Sequence, residues 1–289
     1  MQATLDDIRI RDPFFVTLPE SRSYLLVAAN AAERGVDFWR SSDLVHFEGP
    51  FPLFRLKDGS SYDSATQFWA PEIHPYGGKW YLFLTLGNKE RLMRGTWIFR
   101  ADAPEGPYER FSDAPATPAN WMCLDGTLHV DAQGNPHLVF CHEWLQCSDG
   151  EICAVPLKRD LSGAAGRPVL LFCGSEAAWI PKRPWDAETE CAPSGYPRYV
   201  TDGPFLWRGK DGKLLMLWST FCQQTYTMGI AESANGDLYG NWIQRSEPLF
   251  HKDGGHGMLF RDLDGRLLMT LHQPNSVCER AKLFPLKEL

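Results

Sequence analysis

Strongly apolar stretches of six or seven residues recur along the chain, each behind a tight polar turn. Four of the turns are two-residue hairpin signals that tolerate positive φ, namely Gly77-Gly78, Gly134-Asn135, Asp211-Gly212 and Asp264-Gly265. The apolar stretches behind them are 79–85, 136–141, 213–219 and 266–272, and a fifth, 23–28, follows Pro19-Glu20-Ser21-Arg22. Short apolar runs bounded by such turns predict antiparallel hairpins.

Each hairpin belongs to a larger unit that occurs five times. Several hairpins are followed by a third strand that ends in a polar segment, as at 38–44, 98–102 and 230–234. Units of roughly 50 to 75 residues are at the upper end of propeller spacing, and five of them fill the chain. We therefore predict an all-β fold, a five-bladed β-propeller, with 1–289 as a single domain and 176–199 as a long insertion. A β-sandwich is the alternative, because periodicity alone does not separate the two.

Composition narrows the partners and the compartment. The formal net charge of −7 disfavours nucleic acid, which requires a surplus of Lys and Arg. The sequence has neither a signal-peptide pattern at its start nor an apolar run that would span a bilayer, so we expect a cytoplasmic protein with no membrane partner. The eight cysteines form no CxxC pair and suggest reduced core residues, with a disulfide framework as the alternative.

The candidate catalytic residues lie at the starts of the innermost strands. These starts are Arg11-Asp12-Pro13-Phe14, Trp69-Ala70-Pro71-Glu72, Leu124-Asp125-Gly126-Thr127, Thr201-Asp202-Gly203-Pro204 and Gly254-Gly255-His256-Gly257. In a propeller these starts ring the axis at one face, and three of them bring an aspartate. Inverting hydrolysis of a glycosidic bond needs two carboxyl groups about 6.5 to 9.5 Å apart, one as base for water and one as acid. The pattern predicts a catalytic domain with that site at the channel mouth.

Aromatic residues near the predicted strand ends would bind the sugar. Carbohydrate faces stack on such rings, and the candidates are Trp69, Phe38, Trp144 and Phe221, with Arg11 beside the first aspartate. We expect an oligosaccharide substrate and no organic cofactor. The protein would be a monomer or a homodimer.

These motifs resemble glycoside hydrolase family 43. Arg11-Asp12-Pro13 is similar to the base motif of that family, and Trp69-Ala70-Pro71 to its second-blade signature. The resemblance implies that Asp12 is the base, that Asp125 tunes and orients the acid, and that His256 lies near a structural calcium ion. It also implies an α-L-arabinofuranosidase or β-D-xylosidase, with galactosides as a further possibility. A closed axial pocket would suit exo action on short oligosaccharides.

The chain departs from the family at the general acid. The family places a glutamate at the start of the fourth blade, where this chain has Asp202. Either Asp202 is the acid, or it binds substrate and Glu143, at the end of the second strand of blade three, takes that role. Glu190 in the long insertion is a weaker third candidate.

Two other functions stay open from the sequence. The change from glutamate to aspartate suits a sugar-binding propeller without catalysis. A glycoside phosphorylase is the other, in which phosphate replaces water, with Arg11, Arg183 and Arg198 as candidate phosphate ligands.

Overall fold

Five antiparallel sheets contain the strands of the computed structural model, which describes residues 2–57, 65–88, 93–182 and 197–289. Blade one comprises β1 (Phe14–Leu18), β2 (Ser23–Asn30), β3 (Gly35–Ser41) and β4 (Glu48–Arg55). Blade two comprises β5 (Gln67–Tyr76), β6 (Lys79–Gly87), β7 (Arg94–Ala101) and β8 (Glu109–Arg110). Blade three comprises β9 (Cys123–Val130), β10 (Pro136–His142), β11 (Glu151–Pro156) and β12 (Val169–Cys173).

The last two blades follow the same order. Blade four comprises β13 (Asp202–Arg208), β14 (Leu214–Cys222), β15 (Thr225–Ser233) and β16 (Trp242–Gln244). Blade five comprises β17 (Gly255–Arg261), β18 (Leu267–Gln273) and β19 (Arg280–Leu286). A single-turn helix, α1 (Trp144–Cys147), follows β10, and a short 3-10 turn (Gly174–Glu176) follows β12.

The five sheets form a ring. Within each sheet, strands adjacent in sequence are adjacent in space. Each innermost strand contacts the next, from β1 to β5, β9, β13, β17 and back to β1. The five-bladed β-propeller is thus confirmed, and the β-sandwich alternative is wrong.

The apolar stretches are continuous because the blades cover each other. The second strand of each blade is packed on both faces by neighbouring blades, so it has no solvent face to demand polar alternation. Leu25, Leu26 and Val27 in β2 are fully buried, as are Leu215, Met216 and Leu217 in β14. The core therefore lies between the blades, and the axis is left to the polar starts of the innermost strands.

Each blade has one left-handed residue at the start of its innermost strand. These residues are Asp12 (φ 49°), Ala70 (φ 46°), Asp125 (φ 57°), Gly203 (φ 52°) and His256 (φ 51°). In blades two to five the strand pairing shifts register at this point. Such bulges redirect side chains and are common beside active sites. The repeated backbone geometry therefore defines five equivalent positions around the axis.

The N-terminal segment joins blade one to blade five. The Ile10 N–H donates to the Glu279 carbonyl (3.0 Å), and Arg280 Nε donates to the Asp6 carbonyl (2.7 Å). Residue Ala3 pairs with Phe47 in blade one. This segment closes the ring and holds Asp12 at the axis.

Two further findings concern the cysteines and the membrane. None of the seven cysteines in the described ranges is bonded to another, and four of them are buried. Cys191 lies outside those ranges. The part of the chain that the structure describes contains no helix long and apolar enough to cross a bilayer.

Candidate active site

A pocket of about 980 Å³ opens at one end of the propeller axis. Its lining includes Arg9, Arg11, Asp12, Phe68, Trp69, Leu124, Asp125, Glu143, Trp144, Asp202, Phe221, Tyr226, His256 and Glu279. Every blade contributes to this set directly or through the segment before its first strand. The pocket therefore gathers five carboxyl side chains of the described residues in one concave site, those of Asp12, Asp125, Asp202, Glu143 and Glu279.

Asp12 lies among cationic and imidazole groups. Its Oδ1 is 3.2 Å from Nδ1 of His256 and 3.3 Å from Nδ1 of His272. The Asp12 backbone N–H donates to the same nitrogen of His272 (3.2 Å). Burial opposes ionisation of Asp12, but His256, His272 and Arg11 outweigh it, so the pKa of Asp12 falls below its usual range. Asp12 is a carboxylate at neutral pH.

Asp125 is held differently, although its backbone position is equivalent. Its Oδ2 accepts a hydrogen bond from the Gly203 N–H (3.0 Å) and lies 3.7 Å from Nδ1 of His256. Its own N–H donates to Thr85 Oγ1 (2.9 Å). Burial, followed by the charges of Asp202 and Asp12, raises the pKa of Asp125 well above its usual range. Asp125 is therefore suited to retain a proton beside the ionised Asp12.

His256 lies between Asp12 and Asp125, and its ring fits there because residue 203 in the neighbouring blade four is a glycine. A Cβ atom on Gly203 would come within 2.7 Å of the His256 ring. The His256 N–H donates to Ser219 Oγ (2.7 Å). The ring thus packs directly on the backbone of Gly203, which fixes the imidazole between the two carboxyl groups.

Asp202 does not occupy the position of Asp12 and Asp125. In blade four the left-handed residue is Gly203, so Asp202 is one residue earlier and is equivalent to Arg11 and Trp69. The expectation of three aspartates at equivalent places is therefore corrected to two. The physical reason is the bulge at Gly203, which directs the Asp202 side chain to the pocket wall.

Tyr226 holds Asp202 in place. Its hydroxyl donates to Asp202 Oδ2 (3.0 Å), and its ring stacks on His272 at a centroid distance of 5.5 Å. Gly255 makes room for this ring, since a Cβ there would lie 2.5 Å from it. Burial raises the pKa of Asp202, against the lowering effects of His256 and the Tyr226 hydrogen bond.

Glu143 follows the last residue of β10 and is the N-terminal cap residue of α1. Its N–H donates to the Met122 carbonyl (2.8 Å). Nη1 of the buried Arg94 donates to Oε1 (2.9 Å) and lies 2.9 Å from Oε2, which accepts no hydrogen bond from the residues that the structure describes. Burial raises the pKa of Glu143 to about 7, with Arg94 opposing this shift and the charge of Asp202 adding to it. Glu143 can therefore carry a proton at neutral pH.

Most of the candidate residues predicted from the sequence lie in this pocket. Trp69, Trp144, Phe221 and Arg11 line it, as does His256. Arg198 packs over the Trp144 ring at 5.8 Å. Glu190 and Arg183 lie outside the described residues.

Phe38 is the exception among the aromatic candidates. Its side chain is buried, packs against Phe51 at a centroid distance of 5.4 Å, and is absent from the pocket lining. Apolar residues of a blade point alternately to its two faces, and the sequence did not reveal that Phe38 faces the core of blade one. The expected stacking position is therefore corrected to a core position.

Three residues of the site escaped the sequence analysis. Arg94 begins β7, Tyr226 lies in β15 and His272 in β18, and none of these is the innermost strand of its blade. His272 had a detectable signal, because it is the last residue of the apolar stretch 266–272. Arg94 and Tyr226 had no such signal in the sequence, because their partners, Glu143 and Asp202, belong to strands or segments distant in sequence.

The calcium ion implied by the resemblance does not fit the residues below Asp12. The cavity there measures about 10 Å³ and is lined mainly by apolar groups, with Asp12, Glu72 and His256 as the titratable members. Such a space holds about one water, whereas Ca²⁺ takes six to eight oxygen ligands. Glu72 is already paired with His74 (2.8 Å). We derive no step through a metal ion.

Only one other group in the described ranges combines metal-binding side chains, namely His142, Cys147 and Glu151. These groups already have partners inside the protein. His142 Nδ1 lies 2.7 Å from Glu151 Oε2, and the Cys147 thiol donates to the Glu143 carbonyl (3.2 Å). The group braces the backbone around Glu143.

Comparisons with known proteins agree with this geometry. The family model described as "Glycosyl hydrolases family 43" matches residues 7–286. A curated relative, alpha-L-arabinofuranosidase 43 of Humicola insolens, is 26% identical over 199 residues, which are 64% of this chain and 36% of that protein. The chain thus spans about a third of the length of that relative.

Solved structures extend the likeness over nearly the whole chain. An endo-arabinase from Bacteroides thetaiotaomicron is 39% identical, with a TM-score of 0.87 over 98% of this chain and 96% of that one. An alpha-L-arabinofuranosidase from Lactobacillus brevis has a TM-score of 0.73 at 19% identity, over 96% of this chain and 90% of that one. The second likeness is one of fold.

Proposed function

Because this chain belongs to glycosyl hydrolases family 43, and is thus a glycosidase that acts on a carbohydrate, we propose that it hydrolyses α-L-arabinofuranosidic bonds with inversion. The reading as a sugar-binding propeller without catalysis is set aside by the family and by the relatives. The choice of arabinose over xylose or galactose is supported by the likeness to an α-L-arabinofuranosidase at 26% identity and to an endo-arabinase at 39% identity. Exo action on oligosaccharides, a cytoplasmic location and the monomer or homodimer stay predictions.

The carrying observation is the opposite tuning of two carboxyl groups in one pocket. Asp12 has a lowered pKa, whereas the pKa values of Glu143, Asp125 and Asp202 are raised, that of Glu143 to about 7. Of these three, Glu143 is the one whose carboxyl group accepts a hydrogen bond from an arginine, Arg94, which would stabilise the carboxylate left after proton donation. Carboxyl groups whose environments separate their pKa values in this way suit an acid and base pair. We assign Asp12 as the base and Glu143 as the acid.

The reaction then needs two proton transfers. The Asp12 carboxylate takes a proton from water as the water oxygen attacks the anomeric carbon. The Glu143 carboxyl gives its proton to the glycosidic oxygen as the bond to the anomeric carbon breaks. The sugar leaves with its anomeric configuration inverted, and solvent returns the two residues to their starting states.

Asp202 and Asp125 support this pair in the proposed mechanism. The charge of Asp202 helps to keep Glu143 protonated, which gives Asp202 a role without making it the donor. Asp125 holds the Gly203 N–H and so fixes the strand start that carries Asp202. The Trp69 and Trp144 rings, and the more exposed Phe221, offer faces for the sugar rings.

The test is turnover with a product analysis. Aryl α-L-arabinofuranoside, β-D-xyloside and β-D-galactoside would be compared, and proton NMR would identify the first anomer formed. We expect the highest kcat/KM on the arabinofuranoside, the inverted anomer, and the same rate with and without phosphate. A retained anomer would contradict the assigned roles. A rate that requires phosphate would favour the phosphorylase alternative.

A further inference from the structure

Arg94 is buried at the back of the pocket and contacts two residues of its lining. Its side chain is 4% exposed and belongs to β7 of blade two. The guanidinium binds the Glu143 carboxyl of blade three and lies 4.8 Å from the centroid of the Trp69 ring. One cation thus touches both the proposed acid and a proposed sugar platform.

Nη1 of Arg94 lies 2.9 Å from both oxygens of Glu143, and the asymmetry of the contact is in its hydrogen bond, which goes to Oε1. Nη1 donates to Oε1, while Oε2, close to the same nitrogen, accepts no hydrogen bond in the described structure. Nε of Arg94 is also without a hydrogen-bond partner there. A side-on bidentate pair, the usual strong arrangement of Arg with a carboxylate, is therefore not formed.

An asymmetric contact leaves a proton site on the carboxyl group. If both oxygens accepted from the guanidinium, the carboxylate would be locked in its ionised form. With only Oε1 anchored, Oε2 can carry the transferable proton. After transfer, the adjacent cation stabilises the carboxylate that remains.

We infer that Arg94 is a positioning residue that anchors Glu143 by one oxygen, stabilises its ionised form after proton transfer, and couples it to the Trp69 ring. This inference rests on the proposed role of Glu143 as the acid. Arg94 itself does not line the pocket and acts through its two neighbours. No sequence motif marks it.

The inference predicts a specific change in the pH profile. An acid must be protonated to act, so activity falls as the pH rises through its pKa, which for Glu143 is about 7. Arg94 lowers this pKa, and its removal raises it. In Arg94→Met the alkaline limb of kcat/KM should move up by about one pH unit or more, the size of effect expected from a nearby opposite charge. At pH 6 the rate should still fall, because the carboxylate formed on proton transfer loses its cation.

The experiment compares four variants of the full chain on an arabinofuranoside with an unactivated leaving group. Arg94→Lys keeps the charge and should leave the alkaline limb in its wild-type place while kcat falls. Arg100→Met is the matched control, since Arg100 lies in the same strand and packs over Phe111 at 4.3 Å, outside the pocket lining; its limb should not move. Glu143→Gln should lose both the limb and most of the rate. Circular dichroism would verify that each variant is folded.

The outcomes separate the two proposals. A raised limb in Arg94→Met, restored by Arg94→Lys, supports the inference. An unmoved limb in Arg94→Met, with the limb lost in Glu143→Gln, overturns the role of Arg94 alone. A wild-type limb and rate in Glu143→Gln overturn the acid assignment and the inference with it. If Arg94→Met does not fold, an unmoved limb in Arg94→Gln overturns the role of Arg94 in the same way.

Discussion

Asp12 on the floor of the pocket and Glu143 on its blade-three wall are both buried, but their pKa values shift in opposite directions. We call Asp12, Asp125, His256 and His272 the axial floor, and Glu143 with Arg94 the blade-three wall. On the floor, Asp12 has two imidazoles and Arg11 to offset its burial, and its pKa falls. On the wall, Glu143 has a single oxygen bonded to Arg94, burial dominates, and its pKa rises to about 7.

This difference shows that burial alone does not decide the role of a carboxyl group. Desolvation disfavours the charged form wherever it occurs. What separates base from acid is the number of cationic and hydrogen-bonding neighbours that offset it. The predictions below alter those neighbours or the groups themselves.

The largest expected effect follows from removal of the floor carboxylate. Asp12→Asn should lower kcat on the order of 10³- to 10⁴-fold, the upper part of the range for general acid and base catalysis, because the carboxylate that takes the proton from water is lost. Steady-state kinetics on the arabinofuranoside would measure it. Asp43→Asn is the control, since Asp43 also has a lowered pKa, through hydrogen bonds from His46 and Val45 on the surface. An Asp12 variant as active as the control would refute the base assignment.

A smaller effect is expected from the hydroxyl group of Tyr226. Tyr226→Phe removes the hydrogen bond that lowers the pKa of Asp202, so Asp202 becomes less charged and helps less to keep Glu143 protonated. The alkaline limb should therefore move to lower pH, opposite to Arg94→Met. The loss in kcat/KM should be about tenfold, as expected for one hydrogen bond to a charged group.

Tyr239→Phe supplies the matched control for this measurement. The Tyr239 hydroxyl bonds His137 at 3.0 Å, away from the pocket lining, so neither the limb nor the rate should change. A limb that moves to higher pH in Tyr226→Phe would show that Asp202 does not act on Glu143 by its charge.

The smallest catalytic effect is expected at the aromatic rim. Phe221→Ala should raise KM by about tenfold or less, the lower end of the 1–3 kcal/mol that stacking on an aromatic ring contributes in other ligand sites, and should leave kcat nearly intact. Phe38→Ala should leave KM unchanged and lower the free energy of unfolding by about 3–5 kcal/mol, because Phe38 is in the core. Kinetics and chemical denaturation of both variants would measure these effects. A raised KM in Phe38→Ala would restore it as a sugar contact.

The repeat predicted the floor better than it predicted the wall. Asp12, Asp125 and His256 lie at the starts of equivalent strands, so the fivefold repeat of hairpins was enough to predict that they meet at the axis. Asp202 lies one residue before the position equivalent to Asp12 and Asp125, because the left-handed residue in blade four is Gly203. No hydrophobic pattern shows which residue of a bulge turns inward. Arg94 was missed because its contact with Glu143 joins two blades, and pairing between blades leaves no periodic trace in the sequence.

In the proposed mechanism Glu143, and not Asp202, donates the proton to the leaving group. This assignment is tested by comparing Glu143→Gln with Asp202→Asn on two arabinofuranosides, one with a strongly activated aryl leaving group and one with an unactivated sugar leaving group. We expect the rate of Glu143→Gln to fall about 10²- to 10⁴-fold on the sugar and far less on the activated aryl glycoside, whose leaving group needs no proton, while the rate of Asp202→Asn falls by a similar factor on both. The reverse pattern, with leaving-group dependence only in Asp202→Asn, would show that Asp202 is the proton donor.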